Sequence, residues 1–164
     1  MTNRQTAALV TVAVVAGSIV AGVGLATQGS NKPRQVLQID EDSGRIGSVV
    51  LGETRETVIG VLGKSRPEVG LDGGDTLSYK HYEVGLIHGR VVSIETDDPA
   101  ARTLRIVRIG DPISAARALY RKAARCVPNS PDKTAPHPHC RIAVPAGALL
   151  ISGDPIRTMT LVGR

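Results

Sequence analysis

Residues 46–63 read IGSVVLGETRETVIGVLG, and this stretch decides the fold that the sequence predicts. Apolar residues lead into Gly52 and Glu53. Thr54 then stands where a helix begins, because a threonine hydroxyl can cap the free backbone N–H groups of a first turn. Apolar residues recur behind it at helical spacing until Gly63, a residue type typical of helix ends. The stretch therefore predicts a short helix that begins after Thr54 and ends at Gly63.

A second stretch repeats this pattern 58 residues further along the chain. Residues 104–111 read LRIVRIGD, which places Val107 at the position of Val49 and Gly110 at the position of Gly52. An acid and then helix-like sequence follow, as in the first stretch, so a second helix is predicted to run to about residue 124. The residues expected as its cap, its first position and its apolar face are Asp111, Pro112, Ile113, Ala116, Leu119 and Tyr120.

Strand-like sequence follows each predicted helix. Residues 77–87 and 90–96 flank His88-Gly89, which predicts a hairpin turn because histidine tolerates positive φ. A two-residue turn places the apolar residues of these strands out of phase, and either a longer loop or a β-bulge would restore the match. Connections this short predict an antiparallel sheet. Three further strands are expected at Cys140 to Val144, Ala148 to Ser152 and Ile156 to Val162.

The order of a helix and then strands, given twice, resembles a known superfamily. The residues that match its signature, hydrophobic-x-x-Gly-x-Thr-x-x-x-Val-x-x-x-Leu-Gly, are Leu51, Gly52, Thr54, Val58, Leu62 and Gly63. This signature is that of the outer-membrane-assembly lipoprotein (SmpA/BamE-like) superfamily and of the β-lactamase inhibitory proteins. The resemblance implies an α+β fold of tandem helix-plus-antiparallel-strand repeats, residues 46–100 and 101–164, with the helices on one side of the sheet.

The N-terminal residues predict export. Residues 7–26 are twenty uncharged residues, mostly aliphatic, and a helix of that length spans about 30 Å, the thickness of the hydrocarbon core. They predict a single membrane anchor, with a signal peptide cleaved after Ala26 as the alternative, because Gly24 and Ala26 fit the small-residue rule. Residues 27–45 are polar and predict a flexible linker. Residues 46–164 are then the exported domain.

The two cysteines of the chain, Cys126 and Cys140, predict a disulfide. An even pair in an exported domain is usually oxidised, whereas free thiols are expected if the chain stays in a reducing compartment. His137 and His139 next to Cys140 raise the alternative of a zinc site, but no second cluster stands at ligand spacing. The sequence therefore predicts the disulfide, and neither a metal nor a cofactor.

Basic residues cluster between residues 101 and 125 against the single acid Asp111. They are Arg102, Arg105, Arg108, Arg117, Arg121, Lys122 and Arg125. Arg117 and Arg121 stand four residues apart, so they share one face of the predicted helix, with Lys122 beside them. Such a face is often merely solvated. The functional alternative is that it attracts an acidic protein or an anionic component of the cell envelope.

Composition excludes several classes of function. Aromatic residues are 2% of the chain, without Trp or Phe, so base-stacking surfaces for nucleic acid and aromatic cages are not expected. The sequence holds no Gly-x-Ser-x-Gly elbow and no phosphate-binding loop. The adjacent carboxylates Glu41-Asp42 and Asp97-Asp98 are expected to be solvated turn residues. The net charge is +5, which suits an anionic partner.

The function expected from these observations is a non-enzymatic interaction module outside the cytoplasmic membrane, tethered or secreted. It would bind an unknown protein or an anionic envelope component, through the basic residues Arg117, Arg121 and Lys122 or through a sheet face near Tyr79 and Tyr82. Interface hot spots favour such aromatic residues. The alternatives are an inhibitor of an extracellular enzyme and a small cell-envelope hydrolase.

Overall fold

Twelve β-strands and two α-helices make up residues 36–69, 74–127 and 137–164, the residues that the computed structural model describes. The helices are α1 (Arg55–Leu62) and α2 (Ile113–Tyr120), and a 3-10 turn (Arg121–Ala123) follows α2. The strands are β1 (Leu37–Asp40), β2 (Arg45–Ile46), β3 (Val49–Val50), β4 (Arg66–Val69), β5 (Asp75–Ser78), β6 (Tyr82–Ile87), β7 (Arg90–Thr96), β8 (Ala101–Thr103), β9 (Ala124–Val127), β10 (His139–Val144), β11 (Gly147–Ser152) and β12 (Thr158–Gly163).

Eight of these strands form one antiparallel sheet in the order β4-β5-β6-β7-β12-β11-β10-β9. Consecutive strands pair within β4 to β7 and within β9 to β12, and the two groups meet where Ile94 of β7 lies opposite Leu161 of β12. One fully buried apolar row crosses the sheet through directly paired positions. Its members are Leu77, Val84, Ile94, Leu161, Leu149 and Ile142. This row forms the side of the hydrophobic core that the large sheet contributes.

A smaller sheet of four strands, in the order β3-β2-β1-β8, contributes to the same core. Its pair β1 and β8 is parallel, with Ile39 opposite Thr103, and the other pairs are antiparallel. Ile39, Ile46 and Val49 are fully buried. Strand β1 lies inside residues 27–45, so the linker interpretation does not hold for residues 37–40. Its first part, residues 27–35, lies outside the described residues, as does the predicted membrane segment 7–26.

The predicted fold class, α+β with tandem helix-plus-antiparallel-strand repeats, is wrong. Two helices of eight residues each stand against twelve strands in the described part of the chain, and the strands are divided between two sheets. The smaller sheet, with its parallel pair, has no place in the predicted arrangement. Its strands have two to four residues, and β1 pairs with β8 across more than sixty positions of sequence, a relation that local periodicity does not reveal. The domain is mainly β.

Helix α1 begins and ends as the sequence predicts. The Thr54 side chain accepts a hydrogen bond from the Thr57 backbone N–H at 3.4 Å, and Gly63 ends the helix with a φ of 86°. A left-handed φ is available to glycine without strain, which explains the residue at this position. Val58 is the fully buried residue of this helix.

Helix α2 is capped differently from the prediction. Asp111 does not cap it, because its carboxylate accepts the Arg108 backbone N–H at 2.8 Å. Pro112 is the cap residue and has no side-chain acceptor. Asp154 supplies one instead and accepts the Ile113 backbone N–H at 3.1 Å from 41 residues away. The helix is also shorter than predicted and ends at Tyr120.

The hairpin between β6 and β7 resolves the phase problem that the sequence raises. His88 and Gly89 form its two-residue turn with φ values of 50° and 71°. The pairing register shifts between Gly85 and Leu86, which is the β-bulge alternative. A Cβ on Gly85 would lie 2.5 Å from the Ser93 hydroxyl oxygen, so a larger residue there would require the Ser93 side chain to rotate away.

The predicted disulfide between Cys126 and Cys140 is confirmed, and it joins β9 to β10 at directly opposite positions. It closes a loop with a sequence separation of 14. Replacing both cysteines by serine is expected to lower the free energy of unfolding by about 3 kcal/mol, because the unfolded chain is no longer restrained. Urea unfolding of both proteins, with and without reductant, measures this. Reductant should affect the wild type alone, and equal unfolding midpoints for the oxidised wild type and the double variant would contradict the prediction.

Candidate functional site

The predicted basic residues of α2 lie at its end and are exposed. Arg117 is in the last turn of the helix, Arg121 ends it with a φ of 47°, and Lys122 follows in the 3-10 turn. Within the described ranges no acidic side chain forms an ion pair with any of the three, since the pairs there join Arg55 to Asp75 and His81 to Asp97. Their charges are therefore directed to solvent.

A hairpin of residues 102–108 brings further arginines to the same region. Arg102 and Arg108 are bridge partners at its base. The guanidinium of Arg105, near the tip, lies 5.2 Å from the ring centroid of Tyr120, the last residue of α2. The hairpin and the end of α2 are therefore neighbours. We call their exposed and half-exposed cations the basic surface, which consists of Arg102, Arg105, Arg108, Arg117, Arg121 and Lys122.

A buried carboxylate fixes the hairpin to α2. Glu41 is only 3% exposed, and its two oxygens accept the Leu104 backbone N–H at 3.0 Å and the Tyr120 hydroxyl. Burial, together with the hydrogen bond to Glu41, raises the pKa of Tyr120 far above its usual value of 10, so Tyr120 stays a donor. The interpretation of Glu41 as a solvated turn residue is wrong, because its partners lie 63 and 79 residues away.

The two candidate hot-spot tyrosines are directed towards α1 and the smaller sheet. The Tyr79 hydroxyl donates to the Gly63 carbonyl at the end of α1, at 3.2 Å. Tyr82 is half-buried, and its hydroxyl oxygen lies 2.7 Å from where a Cβ on Gly47 would stand. Burial raises the pKa of both hydroxyls. These rings are therefore engaged in holding the domain together, and neither lies on the sheet face that points away from the helices.

That open face of the large sheet separates charge of opposite sign. Alternate residues of a strand point to opposite faces, so the residues next to the buried row form the open face. Directly paired positions on it are Ser78, Glu83, Glu95, Thr160, Leu150, Arg141 and Arg125. The Thr160 hydroxyl donates to Glu95 at 2.8 Å. The acidic half and the arginine half together make a polar face that lacks tyrosine among its described residues.

A cleft of about 110 Å³ contains the pair relevant to the hydrolase alternative. His81 Nδ1 lies 2.8 Å from the Asp97 carboxylate, an arrangement that orients an imidazole. His88 lies apart from this cleft, in the turn between β6 and β7. The Thr96 hydroxyl donates to the His81 carbonyl at 2.8 Å. The residues that line the cleft include neither cysteine nor serine, so this pair has no such nucleophile beside it.

The motif from His137 to Cys140 does not assemble zinc ligands. The Cys140 sulfur is bonded to Cys126, and His139 Nδ1 lies 3.0 Å from the His137 carbonyl oxygen. No group of three or more His, Cys, Asp or Glu side chains is placed to hold a metal ion in the part of the chain that the structure describes. The loop at 128–136 is outside that part.

Comparisons with known proteins give no information about the function of this chain. No known protein family, curated protein or solved structure matches this chain. The resemblance to the SmpA/BamE-like superfamily remains a prediction from the quoted residues. Among the residues described, no helix combines the length and the apolar character that a bilayer crossing requires.

Sequence reasoning missed the exposed aliphatic residues of the hairpin. Alignment with residues 46–53 predicts an apolar run at residues 104–111. Leu104 is 47% and Ile106 59% exposed, whereas the next residue, Val107, is fully buried. A signal was present in the stretch RTLRIVR, residues 102–108, where every third residue is arginine. Such spacing is unusual for a buried strand.

Proposed function

We propose that this domain is a non-enzymatic interaction module that works outside the cytoplasmic membrane and holds an anionic partner through its basic surface. The observation that carries the proposal is that six exposed or half-exposed cations lie on the hairpin 102–108 and at the end of α2, two segments that the Arg105–Tyr120 contact brings together. For Arg117, Arg121 and Lys122 the described residues supply no acidic partner. A surface of one charge sign attracts the opposite sign without any sequence code.

The disulfide supports the extracytoplasmic location. Disulfides persist in oxidising compartments and are rare in the cytosol, and Cys126 is bonded to Cys140. The uncharged run at residues 7–26 agrees with this location, whether it tethers the chain to the membrane or is removed after Ala26.

The charge-removing variant Arg117→Gln, Arg121→Gln and Lys122→Gln tests this proposal in the full chain. We expect weaker binding to immobilised dextran sulfate, with an association rate lowered several-fold, because charge steers the encounter. Wild-type binding should weaken as salt rises from about 0.1 M to 1 M, since the Debye length falls from about 10 Å to 3 Å. Surface plasmon resonance in one nonionic detergent measures both effects.

The matched control is the variant Arg125→Gln, Arg141→Gln and Arg164→Gln, which removes the same charge elsewhere. Arg125 and Arg141 are exposed and paired on the open face of the large sheet, and Arg164 is exposed at the end of the described chain. This control should retain most of the association rate. Equal losses in the two variants, or binding that salt does not weaken, would overturn the proposal.

A further inference from the structure

The tip of the hairpin 102–108 exposes two large aliphatic side chains. Leu104 is 47% exposed, and Ile106, at 59%, is the most exposed of the large hydrophobic residues described. Arginine stands before, between and after them, at positions 102, 105 and 108. Single exposed aliphatic residues are common, but here two share one tight turn inside a basic surface.

The backbone conformation at Ile106 favours glycine and not a β-branched residue. Its N–H donates to the Thr103 carbonyl at 3.0 Å, and the Thr103 N–H donates to the Val107 carbonyl at 2.9 Å. Ile106 closes this three-residue loop with a φ of 67°, at the position where such loops favour glycine. A β-branched residue is strained there. Glycine at position 106 would therefore make the fold more stable, so stability does not explain the exposed isoleucine.

The base of the hairpin holds two like charges opposite each other. Arg102 and Arg108 are cross-strand partners, and like charges in that position repel. Together with Val36, which is 50% exposed, they line an open cleft of about 300 Å³. An anion bound between the two guanidinium groups would relieve the repulsion, and phosphate oxygens match the geometry of arginine.

We propose that the hairpin 102–108 docks on an anionic lipid bilayer. Leu104 and Ile106 enter the interface between headgroups and acyl chains, and Arg102, Arg105 and Arg108 bind headgroup phosphates. This inference rests on the proposed function and narrows its anionic partner to a lipid surface. The aliphatic tip makes the distinction, because a soluble polyanion offers nothing to Leu104 and Ile106, whereas a bilayer interface receives both aliphatic and basic side chains.

The short stretch of chain between the predicted membrane segment and Val36 also favours docking on a bilayer. Nine residues, 27–35, separate the run at 7–26 from Val36, which lies beside the cleft. A chain of nine residues reaches at most about 30 Å. When residues 7–26 span a bilayer, the hairpin is therefore confined near the membrane surface. This confinement raises its effective concentration there, so that a small patch of contact is enough for docking.

The test uses the absence of tryptophan from this chain. In the variant Leu104→Trp the new side chain is the sole tryptophan, and its fluorescence reports the environment of the tip. The full chain is reconstituted in vesicles of phosphatidylcholine, with or without phosphatidylglycerol. We expect emission at shorter wavelength and quenching by brominated lipid in the phosphatidylglycerol vesicles, with smaller effects in phosphatidylcholine alone. The control Ile87→Trp, at a site that is 52% exposed in another hairpin, should show neither effect.

Two further changes made in the Leu104→Trp protein separate docking from folding. Ile106→Gly should reduce the lipid quenching at least twofold while leaving the melting temperature unchanged or higher. Replacing Arg102, Arg105 and Arg108 by glutamine should remove the dependence on phosphatidylglycerol. Emission equal to that of the Ile87→Trp control in both vesicles would overturn lipid docking. If lipid docking is absent but the protein still binds dextran sulfate, only this inference fails. If the protein does not bind dextran sulfate either, the proposed function fails.

Discussion

The substitution Gly147→Ala is expected to lower the free energy of unfolding by about 4 kcal/mol, one of the two largest single-residue effects that the structure indicates. Gly147 begins β11 with a φ of 148° and lies opposite Gly163 of β12. A Cβ there would overlap the Val162 carbonyl oxygen and lie 3.2 Å from the Gly163 Cα. All of these neighbours are backbone atoms, so no side chain can turn away. Backbone strain and overpacking each contribute about 1–3 kcal/mol.

The matched control is Gly60→Ala, on the exposed side of α1. No atom lies within 4 Å of a Cβ at this position, and alanine is favoured over glycine inside a helix by about 0.5–1 kcal/mol. In urea unfolding followed by circular dichroism, the midpoint urea concentration should therefore fall for Gly147→Ala and rise for Gly60→Ala. If Gly147→Ala unfolds at the same urea concentration as the wild type, the described pairing of β11 with β12 is incorrect.

Features that depend on neighbouring residues could be predicted from the sequence. The cap at Thr54 and the stop at Gly63 act within one helix, and the turn at His88-Gly89 acts within one hairpin. The disulfide followed from counting, because Cys126 and Cys140 have no competitor. Each of these features has its whole cause within a few residues or in a single pair.

Features that depend on distant partners could not be predicted. Strand β1 lies in a mostly polar stretch that resembles a linker, and it is a strand because it pairs with β2 on one side and with the distant β8 on the other. The cap of α2 comes from Asp154, which local sequence does not connect to Pro112. The same reason explains the error in fold class, since the second sheet consists of short strands that no periodic pattern marks.

The candidate site shows the same division. Arg117 and Arg121 were predicted to share a helical face at a spacing of four; both are exposed, but α2 ends at Tyr120 and Arg121 lies beyond it with a φ of 47°. Tyr79 and Tyr82 were assigned to a binding face from residue type alone, and the structure directs them towards Gly63 and Gly47 instead. Residue type predicts what a side chain can do, but only the register of its strand decides which side of the sheet it faces.

The substitution Glu41→Ala is expected to lower the free energy of unfolding by about 4 kcal/mol. It leaves two donors without their acceptor, the Leu104 N–H and the Tyr120 hydroxyl. The Tyr120 hydroxyl is buried and the hydrogen bond of the Leu104 N–H is half-buried, and an unsatisfied buried group costs about 1–3 kcal/mol. The neighbouring change Asp42→Ala, at an exposed residue, is the matched control and should alter stability by less than about 0.5 kcal/mol. Urea unfolding at neutral pH measures both.

The partner of Glu41 provides an independent readout at alkaline pH. The folded state raises the pKa of Tyr120 above its usual value of 10. The stability linked to this hydroxyl is therefore complete below pH 10 and decreases as pH rises above it, because the unfolded chain then loses the proton first. Tyr120→Phe should flatten this decrease but not abolish it, since burial also raises the pKa of Tyr79 and Tyr82. An unfolding free energy that falls equally steeply above pH 10 in wild type and Tyr120→Phe would show that the Tyr120 hydroxyl is not held protonated against Glu41.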